Sequence, residues 1–589
     1  MTLPAVRNLW RVGILGLAAG HTAVACAQQS MNADGLNYLT LGQAFWRGDW
    51  APALNGIWSP LYGVIAGGVL ALLDPPTELV FPTVQVVNFF IFVLSLVCFE
   101  SLWGELWTVA SGGRRDGKGG GPAPEGPAPA LPSWLWWSTG YALFVWAALA
   151  LVEIWSVTPD MLIAAMVYLA GSRMVRIGAG GARTRTYLAL GAALGVGYLA
   201  KAPLFPLGWV ALALTVLVHG RVLLGLRKSM PAVLAFVLVS GPLVAAISVR
   251  EGRIAFSEAS RFTYLKHVNR IPFPHWRTGV VEGVGVPEHP PRQVHSEPDV
   301  FVYDGPVGGP YPPSTDPDYW TEGLTPRFDV AEQLNEVANG LAFYFGLFFR
   351  TQGPILAIVL LVFAAGLASG ARPEARDGAW SLAVWAIACF GMYSLVFVTE
   401  RYVAPFVVLF WAGLLSYWRA FTPHLPTALP RAAGILVVFF LVANVLALNV
   451  EGVAALTGMR PPVEVEARGQ FTGTRGAFGS PPTVAESLRS AGLATGEDIA
   501  YIGYSYTALW AYLLDARIVA EIWPEQASAF WEAPAEERDE VLNRFRDAGA
   551  SWAVAGVTPE TGPPETEGWR RAGSTAYWVL PLNRREESR

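Results

Sequence analysis

Apolar runs of membrane-spanning length recur along the chain, at Leu9–Ala27, Val80–Leu106, Trp134–Val152, Pro159–Val175, Pro231–Val249, Pro354–Leu367, Trp380–Val398, Val403–Tyr417 and Ala432–Val450. Runs of this length and polarity predict helices that cross a bilayer. Ser59–Leu73 is too short to span comfortably and opens with Pro60, which predicts a re-entrant or surface helix. Tyr187–His219 is apolar but holds Lys201, Pro203 and Pro206 near its middle. As one helix it would run about 50 Å, too long for a hydrocarbon core of about 30 Å. Its flanks, Arg183 and Arg185 before and Arg221, Arg227 and Lys228 after, favour a chain that turns at Lys201-Ala202-Pro203 and comes back. A turn below the membrane surface is tolerated only against protein or a water-filled cavity, so Lys201 is expected to face a cavity.

With that hairpin the expected count is about eleven spans, and basic residues gather on one side. They are Arg7 and Arg11; Arg114, Arg115 and Lys118; Arg173, Arg176, Arg183 and Arg185; Arg221, Arg227 and Lys228; Arg372 and Arg376; Arg419 and Arg431. That side is read as cytoplasmic, with the N-terminus and a Gly/Pro-rich linker at about 108–133 on it. Long loops at about 28–79 and 250–336 then fall outside. The loop from Arg250 carries Tyr264, Lys266, His267, Asn269, Arg270 and Trp276 and a Pro-rich part ending in Tyr319-Trp320. Its length and aromatic content fit an ordered functional loop or a structural cap. His267 and His275 lack the paired spacing of a metal site.

After Val450 the pattern changes to short alternating elements. Helices are expected at Pro482–Ala491, Thr507–Leu514 and Glu536–Ala548, strands at Asp498–Ile502, Arg517–Ile522 and Trp552–Ala555, and a hairpin at Trp569–Leu582. The reading is an all-α polytopic membrane region, 1–450, followed by a small α/β soluble domain, 451–589, outside the membrane. That domain lacks GxGxxG, which argues against a nucleotide site.

Composition agrees: of 589 residues 53% are apolar and 15% charged, too apolar for a soluble protein of this length. Twenty-four Trp suit membrane interfaces. A net charge of −5 argues against nucleic acid as a partner. Cys26, Cys98 and Cys389 all sit in apolar runs, which excludes a disulfide framework.

The candidate chemistry lies on the outer side. Asp34 follows the first run, ionised at neutral pH at an ordinary pKa of about 3.9. A charge so near hydrocarbon points to function, with a helix N-cap as the alternative. Thr158-Pro159-Asp160 forms a second acidic turn with Glu153 nearby, and Thr399-Glu400-Arg401-Tyr402 a third. Glu400 and Arg401 have each other as an alternative partner. Cations expected at the same depth are Lys201, Arg401 and Arg261. Carboxylates beside cations at one membrane face suit transfer from a lipid phosphate: a base takes the acceptor's proton and cations hold the leaving phosphate. Such a leaving group needs no general acid.

Asp34-Gly35-x-x-Tyr38, Ser59-Pro60-Leu61-Tyr62, Thr158-Pro159-Asp160, Gly197-Tyr198-Leu199-Ala200-Lys201 and Glu400-Arg401-Tyr402 together resemble the GT-C membrane glycosyltransferases. The nearest likeness is to the branch of protein O-mannosyltransferases and lipid A aminoarabinose transferases. The resemblance implies a GT-C-like fold in a bacterial inner (plasma) membrane and hexosyl or pentosyl transfer, with inversion, from a polyprenyl-phosphate sugar to a glycan, lipid or protein acceptor. It implies Asp34 as catalytic base and Asp160 as the second acidic group, with Lys201, Arg261 and Arg401 on the donor phosphate. Tyr38, Tyr62, Glu153, Tyr264, His267, Glu400 and Tyr402 are the substrate-binding candidates. A divalent ion, Mg2+ or Mn2+, stays open as a cofactor, with Asp34 and Asp160 its ligands. Paired acids around Asp34, a Trp-Trp-Asp motif (Trp136-Trp137 precedes Ser138) and a His-Glu-Pro signature are missing, which leaves acceptor and metal open. A transporter or flippase of lipid-linked sugar would show internal repeats and mid-membrane charges, and no clear repeat is seen. A non-catalytic envelope-assembly protein would leave Asp34 and Lys201 without a purpose.

Overall fold

The computed structural model describes residues 2–29, 31–110, 131–180, 182–271, 283–303, 305, 308–370, 378–421, 425–456, 480–559, 562–563 and 568–582. His275, Trp276, most of the 108–133 linker and the basic residues Arg114, Arg115, Lys118, Arg372 and Arg376 lie outside the described residues.

Every apolar run is helical. The helices are Leu3–Gln28, Val80–Ala110, Ser133–Trp146 continued by a π-helical turn Ala147–Val152, Asp160–Gly178, Thr184–Ala200, Leu204–Leu217, Val222–Arg250, Gly353–Ala368, Trp380–Ser394, Glu400–Phe421 and Ala428–Leu456. Among the described residues six are long and apolar enough to cross a membrane unaided, or seven counting a bent pair, not the expected eleven. Thr184–Ala200, Leu204–Leu217 and Trp380–Ser394 fall short in length, with 17, 14 and 15 residues, whereas Glu400–Phe421 has 22 and opens on the charged pair Glu400-Arg401. Leu204–Leu217 has 14 residues and rises about 21 Å, less than a bilayer core.

The break expected inside Tyr187–His219 falls at Lys201, whose backbone is extended at φ −159°. The two short helices on either side pack on each other and on Val222–Arg250. The bent pair is Val330–Thr351 with Gly353–Ala368, at 79°. Its corner holds a π-helical turn and Pro354, both ordinary causes of a kink.

Ser59–Leu73 is a helix from Pro60, lying against the helix Asp34–Arg47. A Cβ on Gly42 would meet the carbonyl oxygen of Gly63 at 2.1 Å, so glycine is what lets these two helices touch.

The soluble elements form one seven-stranded sheet: β1 (Arg292–Ser296), β2 (Asp299–Val302), β3 (Asp498–Ile502), β4 (Arg517–Ile522), β5 (Trp552–Ala555), β6 (Arg570–Arg571) and β7 (Trp578–Pro581), in the order β1-β2-β4-β3-β5-β7-β6. β3 runs parallel to β4 and β5, and the other pairs are antiparallel. The strands after Val450 fall where alternation placed them. β1 and β2 were not expected: they come from the long loop after Arg250 and pair through Phe301 and Val302 with Glu521 and Ala520 of β4. That loop also holds a helix, Ala259–His267, and the segment from Val330 is already helical. The C-terminal sheet is therefore built partly from the membrane region's own loop, which fixes it over one end of the bundle.

Candidate active site

Where a chain leaves an apolar helix, its polar side chains can gather at one end of the bundle. Asp34 and Asp160 are each the first residue of a helix, where backbone N–H groups favour negative charge. Lys201 caps the end of Thr184–Ala200, where positive charge is favoured. Arg401 is the second residue of Glu400–Phe421.

Neither aspartate caps its own helix. Arg401 Nη2 donates to Asp34 Oδ2 at 2.6 Å, and its Nε lies 3.8 Å from Asp160 Oδ2. Lys201 Nζ donates to Asp160 Oδ1 at 2.6 Å, and Thr158 Oγ1 donates to Asp160 Oδ2 at 2.9 Å. The Lys201 ammonium also sits 3.6 Å above the Tyr402 ring. Acid and cation thus alternate, Asp34–Arg401–Asp160–Lys201, drawn from four segments of the chain.

Gly35 explains the Asp-Gly pair. A Cβ there would lie 2.9 Å from Val157 Cβ, so the Asp34 helix starts hard against the turn that precedes Asp160. Asn32 Oδ1 accepts from Val157 N at 2.7 Å and ties the same two segments.

Two further groups reach this cluster, and the candidate list lacked both. Tyr506, in the turn Ser505–Thr507 after β3, donates its phenol to Asp34 Oδ1 at 3.1 Å. Lys266 is close enough to Asp34 for their charges to interact. Burial lowers the Lys266 ammonium pKa, and Asp34 partly opposes that shift. For Asp34 itself, burial raises the pKa, but Arg401, the Tyr506 hydrogen bond and Lys201 outweigh it. Its carboxyl is held below the ordinary range and is ionised at neutral pH. Lys266 was visible as a loop cation, whereas nothing in the sequence links Tyr506 to Asp34.

Other candidates fall elsewhere. Arg261 is not in the cluster. Its guanidinium donates to Glu258, Asp318, the carbonyls of Thr321 and Leu324 and the Thr321 hydroxyl, and these five bonds use its donor capacity. It braces the long loop. Tyr62 is fully buried and donates to Asn88 Oδ1 at 2.7 Å, so it belongs to the core rather than to an open pocket. Tyr38 is buried edge-on between Tyr62 and Trp58, near enough to Asp34 and Asp160 to feel both charges. Tyr264 donates to Gln333 at 3.0 Å. His267 stacks on Phe397 at 4.1 Å, and burial holds its imidazole down to about 4, with Lys266 adding to the effect. Glu400 accepts from Thr399 and is not paired with Arg401. Glu153 opens the turn before Asp160 at φ +62°.

The aspartates do not fit a divalent ion. Each of their four carboxylate oxygens already faces a donor, and the Arg401 guanidinium stands between them. Among the described residues, the acid or His groups close enough to share an ion are Glu288, His289 and Glu322, and Glu251, Glu258 and Asp318. Neither contains Asp34 or Asp160.

No family model and no curated protein matches the chain. It is similar in structure to ArnT from Cupriavidus metallidurans in the apo state: TM-score 0.51, 14% identity, covering 98% of this chain and 98% of that one. The same protein bound to undecaprenyl phosphate gives TM-score 0.50 and 15% identity, covering 97% of this chain and 98% of that one. An oligosaccharyltransferase from Archaeoglobus fulgidus, in complex with zinc and sulfate, overlaps more loosely, with TM-score 0.43 and 11% identity over 92% of this chain and 67% of that one. At such identities the likeness is one of fold, shared with ArnT over nearly the whole chain.

Proposed function

We propose that this protein transfers a sugar from a polyprenyl-phosphate donor to an acceptor hydroxyl on the outer side of the membrane, with inversion. The observation that carries the reading is the alternating cluster Asp34–Arg401–Asp160–Lys201 at one end of a GT-C bundle. With Lys266 beside it the cluster holds two carboxylates and three cations, a net charge of +1. A sugar phosphodiester carries one negative charge, so donor and site neutralise each other.

The charges stay matched through the reaction. The acceptor hydroxyl gives its proton to Asp34 and its oxygen bonds to the sugar's C1 from the face opposite the phosphate. The C1–O bond to phosphate breaks, and its electron pair leaves with the phosphate oxygen. The site then stands at +2 as the leaving group becomes a monoester of about two negative charges.

Among the described residues, Arg401 and Lys201 keep N–H groups beyond their bonds to the aspartates, available to phosphate oxygens. A phosphate that draws Arg401 away would raise the basicity of Asp34 when a base is needed. Asp160 positions the two cations. That ArnT binds undecaprenyl phosphate on the same fold supports the donor class.

The test is transfer by the full chain in lipid nanodiscs supplied with undecaprenyl-phosphate hexoses and pentoses, the product's anomeric configuration being read by NMR. Inverted product, or inverted free sugar where water is the acceptor, supports the proposal. Retained configuration, or no cleavage of any donor, removes it.

A further inference from the structure

The C-terminal sheet does more than cover the bundle. β3 is the strand at which chain order reverses, with β4 to one side of it and β5 to the other. In open sheets with parallel strands, ligands bind beyond the strands' carboxyl ends at such a reversal. The residues just beyond β3 and β4 are Tyr504, Tyr506 and Trp523. Trp523 and Tyr504 meet edge to face at 5.1 Å, and Tyr504 and Tyr506 at 6.2 Å. All three are part-exposed, whereas Tyr501, Trp510, Phe530 and Trp569 of the same domain are buried. One of the three lies against the carboxylate proposed to be the base.

We propose that this face is the acceptor subsite and takes a carbohydrate, with the Tyr506 phenol holding the acceptor hydroxyl's place on Asp34 until that hydroxyl arrives. The inference rests on the glycosyltransferase reading and adds the acceptor's class to it. The phenol and an acceptor alcohol are the same donor. Each gives an O–H to Asp34 Oδ1, the oxygen turned away from Arg401. A sugar ring offers a C–H face for the aromatic rings and hydroxyls for the tyrosine phenols and the carboxylate. A peptide acceptor would more naturally pair with a sheet edge, but the edges here are β1 and β6, away from the carboxyl ends of β3 and β4. The platform is anchored: Ser314 donates to Asn37 of the Asp34 helix at 3.0 Å, while Tyr303 and Tyr311 donate to the buried Glu521 of β4.

Two measurements on the full chain in nanodiscs test this. The first is hydrolysis of undecaprenyl-phosphate sugar without acceptor. Tyr506→Phe opens the base to water, and hydrolysis should rise roughly tenfold, the worth of one hydrogen bond to a charged group. An unchanged or lower rate overturns the place-holding role. The second is saturation-transfer NMR with a panel of methyl glycosides and, separately, a serine-containing peptide. Glycoside signals that weaken in both Trp523→Ala and Tyr504→Ala, variants checked for a wild-type melting transition, support the subsite. Signals unchanged in both variants, or saturation of the peptide alone, overturn it. If no lipid-linked donor is cleaved by the wild type, the enzymatic reading falls, while the glycoside experiment still decides the subsite.

Discussion

Two charged clusters hold this molecule together, and they differ in what they leave unused. One is Asp34–Arg401–Asp160–Lys201. The other joins Arg250, Arg253 and Arg261 to Glu251, Glu258, Asp316 and Asp318 in the long loop. Both mix acids and cations from segments far apart in the chain. In the loop cluster Arg261 makes five hydrogen bonds, and Glu258 accepts from Arg253 on one oxygen and Arg261 on the other. In the first cluster the cations keep spare donors, and the Tyr506 phenol lies on Asp34. The contrast lies in the cations, since Asp316 and Asp318 each keep one buried oxygen without a hydrogen bond: an arginine with every donor used braces, and cations with donors to spare are able to bind. The substitutions below set the two apart.

The largest effect is expected at Asp34. Asp34→Asn keeps the shape and removes the base, so transfer should fall roughly a thousandfold while donor binding persists. Arg261→Ala should do the reverse. Leaving Asp318 without its arginine and Glu258 with Arg253 alone should destabilise the fold by about 3 kcal/mol in a melting or denaturant experiment, with turnover per folded molecule kept. If Arg261→Ala folded normally but stopped transfer, the loop cluster would belong to the active site.

A smaller, pH-dependent effect is expected at Glu251. Burial and the neighbouring Asp318 and Glu258 raise its carboxyl from 4.5 to about 7. The folded state therefore holds this proton more tightly than the unfolded chain does. Its contribution to stability is present below about 4.5 and is lost as pH rises to about 7. Glu251→Gln should flatten that slope and raise the melting temperature at pH 8 relative to wild type, with little change at pH 4. An unchanged slope would show that Glu251 is not strained in this way.

Much of the arrangement was legible in the sequence. Apolar runs mark each bundle helix, because a spanning helix must be long and apolar whatever its neighbours are. Asp34, Asp160, Lys201 and Arg401 stand out because a charge beside hydrocarbon is costly. Span number was less legible: hydropathy marks an apolar stretch but does not say whether 14 residues reach across. Arg261 and Arg401 could not be told apart, since both are arginines near acids. What separates them is how many acceptors surround each in space. Tyr506 lies 472 positions from Asp34, in what reads as a separate domain. The strands β1 and β2 that bind that domain to the loop carry no clear alternation. Contacts of this kind arise from tertiary docking and leave no local pattern.

The most direct measurement is undecaprenyl phosphate binding to the full chain in nanodiscs, comparing Lys201→Ala with Arg261→Ala, each normalised to folded protein. Losing a charge-assisted phosphate contact should weaken binding roughly tenfold or more in Lys201→Ala and leave Arg261→Ala at the wild-type value. Equal affinities in wild type and Lys201→Ala, or a loss confined to Arg261→Ala, would contradict the assignment of the lipid phosphate to the Asp34–Lys201 cluster.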